Sequence, residues 1–498
     1  MSKGTMLLCL AALGLLMIGS SRATAQTPKR YTVTDYGAVG DGTTVNTKAI
    51  QALIERVSTD GGGVVVVPSG TFMTGALFFK KGVSLEVLKD GVLKGTTVQA
   101  DYPTVNTRFE GIERPYSAAL LNWDGVDNIT LSGEGTIDGS GDLWMNRGGG
   151  APGGNRGRGP TTAPAGRGAG ALLPPAGDTA VASVIPVAAP GGARGARGAG
   201  GGAAGRGPAT TPTTRMAPGP GRPRLICISN STNIKVSNLH LTKQAIWCLH
   251  LLYDSNVTVD NVNIRAVARI PSSDGIDVDS SNHVNITHCD IACNDDDIAL
   301  KSGKDSDGRR VNKPTEYVNI TDCTIGAGEG IAMGSEVTGG IRHIVIERCK
   351  FDGSNQVVRL KSQPSRGGDI TDITYRDCQF NNVRLAFEFT MNWDMRLETE
   401  PAAAIPTQVR NVHVINCNGS ASQLGSMVGL DDTEIEDVHW SGCKVTAQRG
   451  MTIQHATNID LSGLSATVAS GQPFNVQNGN AITYPTTQPA AAAPGAGR

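Results

Sequence analysis

Six stretches decide the fold: Val284-x-Ile286-x-x-Cys289, Val318-x-Ile320-x-x-Cys323, Ile344-x-Ile346-x-x-Cys349, Ile373-x-Tyr375-x-x-Cys378, Val412-x-Val414-x-x-Cys417 and Val438-x-Trp440-x-x-Cys443. The same pattern without cysteine stands at Ile129-x-Leu131, Ile234-x-Val236-x-x-Leu239, Val257-x-Val259-x-x-Val262 and Ile459-x-Leu461-x-x-Leu464. From Ile234 onward the starts are 23, 27, 34, 26, 29, 39, 26 and 21 residues apart. A period in the twenties with drifting loop lengths is the mark of a solenoid. Within each unit the apolar residues alternate, break and resume, which predicts two short strands meeting at a bend. One unit carries a narrow apolar face that it cannot bury alone. Stacking about ten units buries a continuous aliphatic column. The expected fold is all-β, a single right-handed parallel β-helix of about ten coils.

Such a stack needs a cover over its first strand edges. Ile50, Leu53, Ile54 and Val57 have the i, i+3, i+4, i+7 spacing of an amphipathic helix, with Asn46 and Thr47 as capping candidates. This predicts an N-terminal capping helix.

The chain has 498 residues, 39% of them hydrophobic and only 4% aromatic, so the core is aliphatic. Lys3 followed by an apolar run to Ile18 and by Ala23-Thr24-Ala25 reads as a signal peptide over residues 1–25, too short for a membrane span. Export to the periplasm or medium is expected, and the alternative of an N-terminal anchor is weaker. Residues 26–146 then hold the cap and first coils, and 222–482 the remaining coils. Between them, 147–221 is a Gly/Ala/Pro/Thr tract with eight arginines, one acid and no aromatic, expected to be a disordered insertion. Without aromatics to stack bases it is not read as a nucleic-acid arm. Residues 483–498 form a second low-complexity tail.

Net charge is −1 overall, which excludes binding to nucleic acid through global charge. Without signal and tract, 44 − 8 − 2 = 34 basic residues face 45 − 1 = 44 acidic ones, so the folded body is near −10. Of ten cysteines, nine remain after Cys9 is removed. Their recurrence at one repeat position predicts small buried residues, mostly free stacked thiols.

Acids concentrate at Ser273-Asp274-Gly275-Ile276-Asp277 and Asn294-Asp295-Asp296-Asp297. Asp274 and Asp295 are 21 residues apart, about one coil, so their carboxylates are expected side by side on strands about 4.8 Å apart. Like charges that close push one pKa up, which lets a site hold an acid beside a base near neutral pH. Arg359 and Lys361, at i and i+2, project together from a strand. A carboxylate cluster flanked by Arg and Lys suits cleavage of a glycosidic bond in an anionic polymer. A calcium site is the alternative for the aspartates.

The sequence resembles the polygalacturonases, glycoside hydrolase family 28, from about Tyr31 to Ala466 with the arginine tract inserted. Tyr36-Gly37-Ala38-Val39-Gly40-Asp41-Gly42, Gly133-Glu134-Gly135-Thr136-Ile137-Asp138-Gly139 and Arg222-Pro223-Arg224-Leu225-Ile226 look like family landmarks. Ser273-Asp274-Gly275 is similar to its Asn-Thr-Asp-Gly, Asn294-Asp295-Asp296 to its Gly-Asp-Asp, and Arg359-Leu360-Lys361 to its Arg-Ile-Lys. The resemblance implies Asp295 as general acid, Asp274 and Asp296 as the residues that position and deprotonate water with inversion, and Arg359 and Lys361 as substrate-binding. Trp247 resembles a family position near the cleft and is read as a possible sugar-stacking residue, with core packing the equal alternative. Gly328-Glu329-Gly330 stands where the family has Gly-His-Gly. The acid is expected to raise Asp295 further and to remove a donor to substrate. The implied reaction is hydrolysis of galacturonosidic bonds in pectic polysaccharide by a monomer without cofactor or metal. The rivals are a calcium-dependent pectate lyase and a non-catalytic polysaccharide-binding β-helix.

Overall fold

The computed structural model describes residues 27–145, 221–393 and 400–486. The signal peptide, all but one residue of the 147–221 tract, and residues 487–498 of the tail lie outside them.

The expected repeat marks fall into direct register. Ile129 pairs with Ile234, Ile234 with Val257, Val257 with Val284, and Val284 with Val318. Val318 pairs in turn with Ile344, then Ile373, Val412, Val438 and Ile459 follow in the same ladder. All of these pairings are parallel, as in a parallel β-helix. The stack is longer than the ten units the marks suggest. Arg30–Thr32, Gly63–Val67 and Val83–Val87 precede Ile129 in the ladder, and Leu464–Thr483 follows Ile459.

The bend before each cysteine has a local cause. Asn238, Asn261, His288, Asp322, Arg348, Asp377 and Asn416 all have positive φ, between 52° and 62°, and each stands immediately before the Leu, Val or Cys of its repeat. Most are Asn, Asp or His, whose short polar side chains tolerate the left-handed region. The chain therefore turns inward, and Cys289, Cys323, Cys349, Cys378, Cys417 and Cys443 enter the core as free, buried thiols.

Each central coil contains three strands rather than two. The coil after Arg265, for example, runs Ile276–Asp279, Asn282–Thr287 and Asp290–Ala292. The missed strand has no alternation to reveal it, since all four residues of Ile276–Asp279 are buried. The same holds for Leu249–Leu252 and Ile298–Lys301, and for the longer Gln356–Lys361. The capping helix Thr47–Thr59 forms as expected, with Ile50, Leu53, Ile54 and Val57 buried. Asn46 precedes it, but its amide bonds the Val39 backbone at 2.7 and 3.0 Å instead of capping the helix.

Candidate active site

The continuously buried strands point aliphatic side chains inward: Ile276 and Val278, Ile298 and Leu300, Val358 and Leu360. Their outward side chains include Asp277, Asp279, Lys301, Arg359 and Lys361. Register places His250 beside Asp277, Asp279 beside Lys301, and Arg359 beside Glu388. Two features outside the repeat cover them. One is an antiparallel hairpin, Thr104–Phe109 with Ile112–Ser117, which sends the buried guanidinium of Arg108 onto Asp279 at 2.8 Å. The other is a short helix, Asp305–Val311, whose preceding Lys304 bonds the hairpin carbonyl of Gly111.

The catalytic candidates sit in the turns that enter these strands. Gly275 N donates to the Asp296 carbonyl, so Asp274 and Asp296 lie side by side on neighbouring coils. Asp295 joins them because the backbone bends at Asn294–Asp295, which breaks strict alternation before Ile298. One carboxylate oxygen from each of Asp274, Asp295 and Asp296 lies within 4.8 Å of the other two. Asp274 and Asp296 are buried, and Asp295 is half-buried.

Electrostatics separate the three. Burial and the charges of Asp274 and Asp296 push Asp295 up to about 7, against the opposing pull of Lys361 and Arg359. Burial would also raise Asp296, but Lys361, Arg359 and Lys301 overcome it and hold that carboxyl below its ordinary value. Arg359 Nη1 donates to Asp296 Oδ1 at 2.8 Å, and Lys361 Nζ bonds both oxygens at 3.0 and 2.7 Å. Burial pushes Asp274 up against the ammonium of Lys301 at 3.1 Å. That one ammonium also faces Asp277 at 3.1 Å and Glu336 at 3.8 Å.

The structure brings Asp274, Asp295, Asp296, Arg359 and Lys361 together and corrects two expectations. Trp247 is 2% exposed, packed with Phe109 and Tyr116, with the Lys301 ammonium 4.0 Å over its ring. It offers no free face to a sugar and holds Lys301 from below. Glu329 does not account for the rise of Asp295. Its carboxylate pairs with Arg359 at 3.0 Å and accepts from Asn355 Nδ2 at 2.7 Å, so its charge is met locally. The glycine before it is required by space, since a Cβ on Gly328 would stand 2.3 Å from an Asp297 oxygen.

Lys301, Asp277, Glu388 and Trp393 complete the site and were not singled out from sequence. Glu388 lies 3.2 Å from Arg359 Nε, and the Trp393 ring lies 5.2 Å from the Arg359 guanidinium and 5.4 Å from Lys361 Nζ. For Lys301 a signal existed: a charge closing the apolar run Ile298-Ala299-Leu300 is costly unless paired. A lone Trp carries none.

The chain is similar to proteins already known. A family model described as "Glycosyl hydrolases family 28" matches residues 195–483, and one described as "Rhamnogalacturonase A/epimerase, pectate lyase-like" matches 31–86. A probable polygalacturonase of Vitis vinifera is 27% identical over 370 residues, 72% of this chain and 62% of that protein's length. An exo-poly-alpha-D-galacturonosidase of Dickeya chrysanthemi is 25% identical over 90% of this chain and 70% of its own. Among solved structures, a family 28 exopolygalacturonase of Yersinia enterocolitica superposes with a TM-score of 0.71 at 18% identity, over 92% of this chain and 78% of its own. An exopolygalacturonase of Thermotoga maritima gives 0.67 at 22% identity, over 92% and 93%. These two likenesses concern the fold. With over half of its length matched by the family model, the chain belongs to glycoside hydrolase family 28.

Proposed function

We propose that the chain, once exported, hydrolyses α-galacturonosidic bonds in pectic polysaccharide by acid/base catalysis with inversion. The observation that carries this reading is the split between adjoining carboxyls: Asp295 is pushed up to about 7 while Asp296 is held ionised. Asp295, half-buried, protonates the leaving glycosidic oxygen as the bond to the anomeric carbon breaks. Water attacks that carbon and yields its proton to ionised Asp296. Asp274 holds the water through Oδ1, a buried oxygen with no partner among the described residues. Arg359 and Lys361 bias Asp296 and add positive potential for a substrate carboxylate.

Separations within 4.8 Å are shorter than the roughly 6.5–9.5 Å of a two-carboxylate inverting site. Distance alone would favour retention. The reading of inversion follows the resemblance to family 28, with Asp274 and Asp296 side by side on neighbouring coils to share one attacking water.

The test is incubation with polygalacturonate and chelator, following reducing ends, absorbance of unsaturated sugar, and the anomeric proton of the first product by NMR. New reducing ends of inverted configuration without absorbance are expected. Retained configuration would overturn the role of Asp296, and absorbance that needs calcium would replace hydrolysis by elimination. The three-carboxylate cluster makes that second outcome worth measuring.

A further inference from the structure

The motif Arg222-Pro223-Arg224 is only half absorbed by the site. Arg224 is buried, with Nη1 donating to His250 Nδ1 at 2.5 Å. Arg222 has no such use. It is half-buried, yet burial lowers its pKa with only Tyr116 opposing, so no carboxylate faces it among the described residues. Among the described residues it bonds the Pro271 carbonyl through Nη2 at 3.1 Å and makes a long Nη1 contact to Met145 Sδ at 3.5 Å. A guanidinium has five N–H donors, so most have no partner among the described residues. Partial burial of a cation without a counter-ion is costly and recurs where a ligand supplies the missing charge.

Its position gives this meaning. Ile226, Leu249, Ile276 and Ile298 pair in sequence, so the turns before them follow one line on neighbouring coils. Arg222 precedes the first, Arg269–Asp274 the third, and Asn294–Asp296 the fourth. Arg269 is exposed, at φ 72°, with its N–H donated to Asn294 Oδ1 at 3.2 Å. Asn294 Nδ2 returns bonds to the Val267 carbonyl at 2.7 Å and Ser273 Oγ at 2.9 Å. The loop bearing Arg269 is thereby tied to the residue before Asp295. Arg222 and Arg269 thus stand on the N-terminal side of Asn294–Asp296 along this line. The cations inside the site are already committed: Arg359 to Asp296, Glu329 and Glu388, Lys361 to Asp296, and Lys301 to Asp274 and Asp277.

We propose that Arg222 and Arg269 form a second anion-binding subsite, which takes a uronate carboxylate of the polymer on the N-terminal side of the catalytic aspartates. The inference rests on the reading of a uronate polymer as substrate. Guanidinium groups suit it because they bind carboxylates through paired N–H bonds.

The test uses the full chain carrying Asp295→Asn, so that oligomers survive. Binding of hexagalacturonate and digalacturonate is measured by calorimetry, with and without Arg222→Gln and Arg269→Gln. The hexamer is expected to lose at least tenfold in affinity and the dimer less than threefold. Arg222→Lys with Arg269→Lys should recover part of the loss, and methyl-esterified hexamer should be insensitive. Unchanged hexamer affinity, an equal loss for the esterified hexamer, or no hexamer binding by the Asp295→Asn chain would overturn the proposal. The reading beneath it fails separately: an unmutated chain that releases no reducing ends from polygalacturonate, while the Arg variants still weaken the hexamer, would remove the activity and leave the anion site standing.

Discussion

Two strands of the same coil treat their outward side chains in opposite ways. Asn282–Thr287 shows water its Asn285 and His283 and alternates buried with exposed or half-exposed positions, whereas Ile276–Asp279 buries everything, including Asp277 and Asp279. Both keep the same inward aliphatic rows. The difference lies in what covers the outside: solvent on one face, the hairpin around Arg108 and the helix Asp305–Val311 on the other. The first face stabilises the stack. The second accepts buried charges that only mutual pairing makes tolerable, and it is there that carboxyls of unequal acidity arise.

The comparison breaks most visibly at Asp295. Asp295→Asn is expected to lower turnover at least a hundredfold while the thermal unfolding transition survives, checked by reducing-end kinetics and circular dichroism. Unaltered turnover would remove Asp295 from the mechanism. Next in size is Lys301→Met. With one ammonium facing Asp274, Asp277 and Glu336, its removal leaves acids uncompensated and should cost about 3–5 kcal/mol in denaturant unfolding.

A pH series sharpens the contrast. Turnover should fall as pH rises through about 7, where Asp295 loses the proton it donates. Its raised native pKa has a second consequence. Between the ordinary carboxyl range and about 7, the folded chain holds a proton that the unfolded chain has released, so this residue lowers stability as pH rises. Asp295→Asn should therefore stabilise the fold at pH 8, by on the order of 1–2 kcal/mol after allowance for partial exposure, and not at pH 4. Equal unfolding midpoints at pH 8 would contradict the buried-acid account.

On the core side, Cys378→Ser introduces a hydroxyl at a buried thiol position and should cost about 1–3 kcal/mol. The buried cysteines should resist a thiol reagent until the chain unfolds. Smallest of all is Arg348→Ala on the solvated face. Arg348 pairs with Asp322 at 2.7 Å in open water, and no change in the unfolding midpoint beyond measurement error is expected.

The same asymmetry explains what could be read from the amino acids. The repeat was legible because two strands per coil meet water, and alternation against a fixed partner leaves a period. The cap was legible through its 3.6-residue spacing. The site-bearing strands left no period, so three strands per coil were read as two. Their chemistry still showed through Asp274, Asp295, Asp296, Arg359 and Lys361, because charges inside apolar runs are rare without a partner. Trp247 was left between two readings because a lone aromatic looks the same whether it stacks on a sugar or beneath Lys301. Arg108 was invisible: it reaches Asp279 from 171 residues away, and no local pattern encodes that contact.

The pairing of Ile129 with Ile234 spans 105 residues, while the next pairing spans 23. Closing the longer loop costs only about 1.3 kcal/mol more than the shorter, since the penalty grows with the logarithm of length. The ladder resumes in register on the far side as though nothing intervened. The two coils that meet there keep the pairing of their neighbours across a separation more than four times as long.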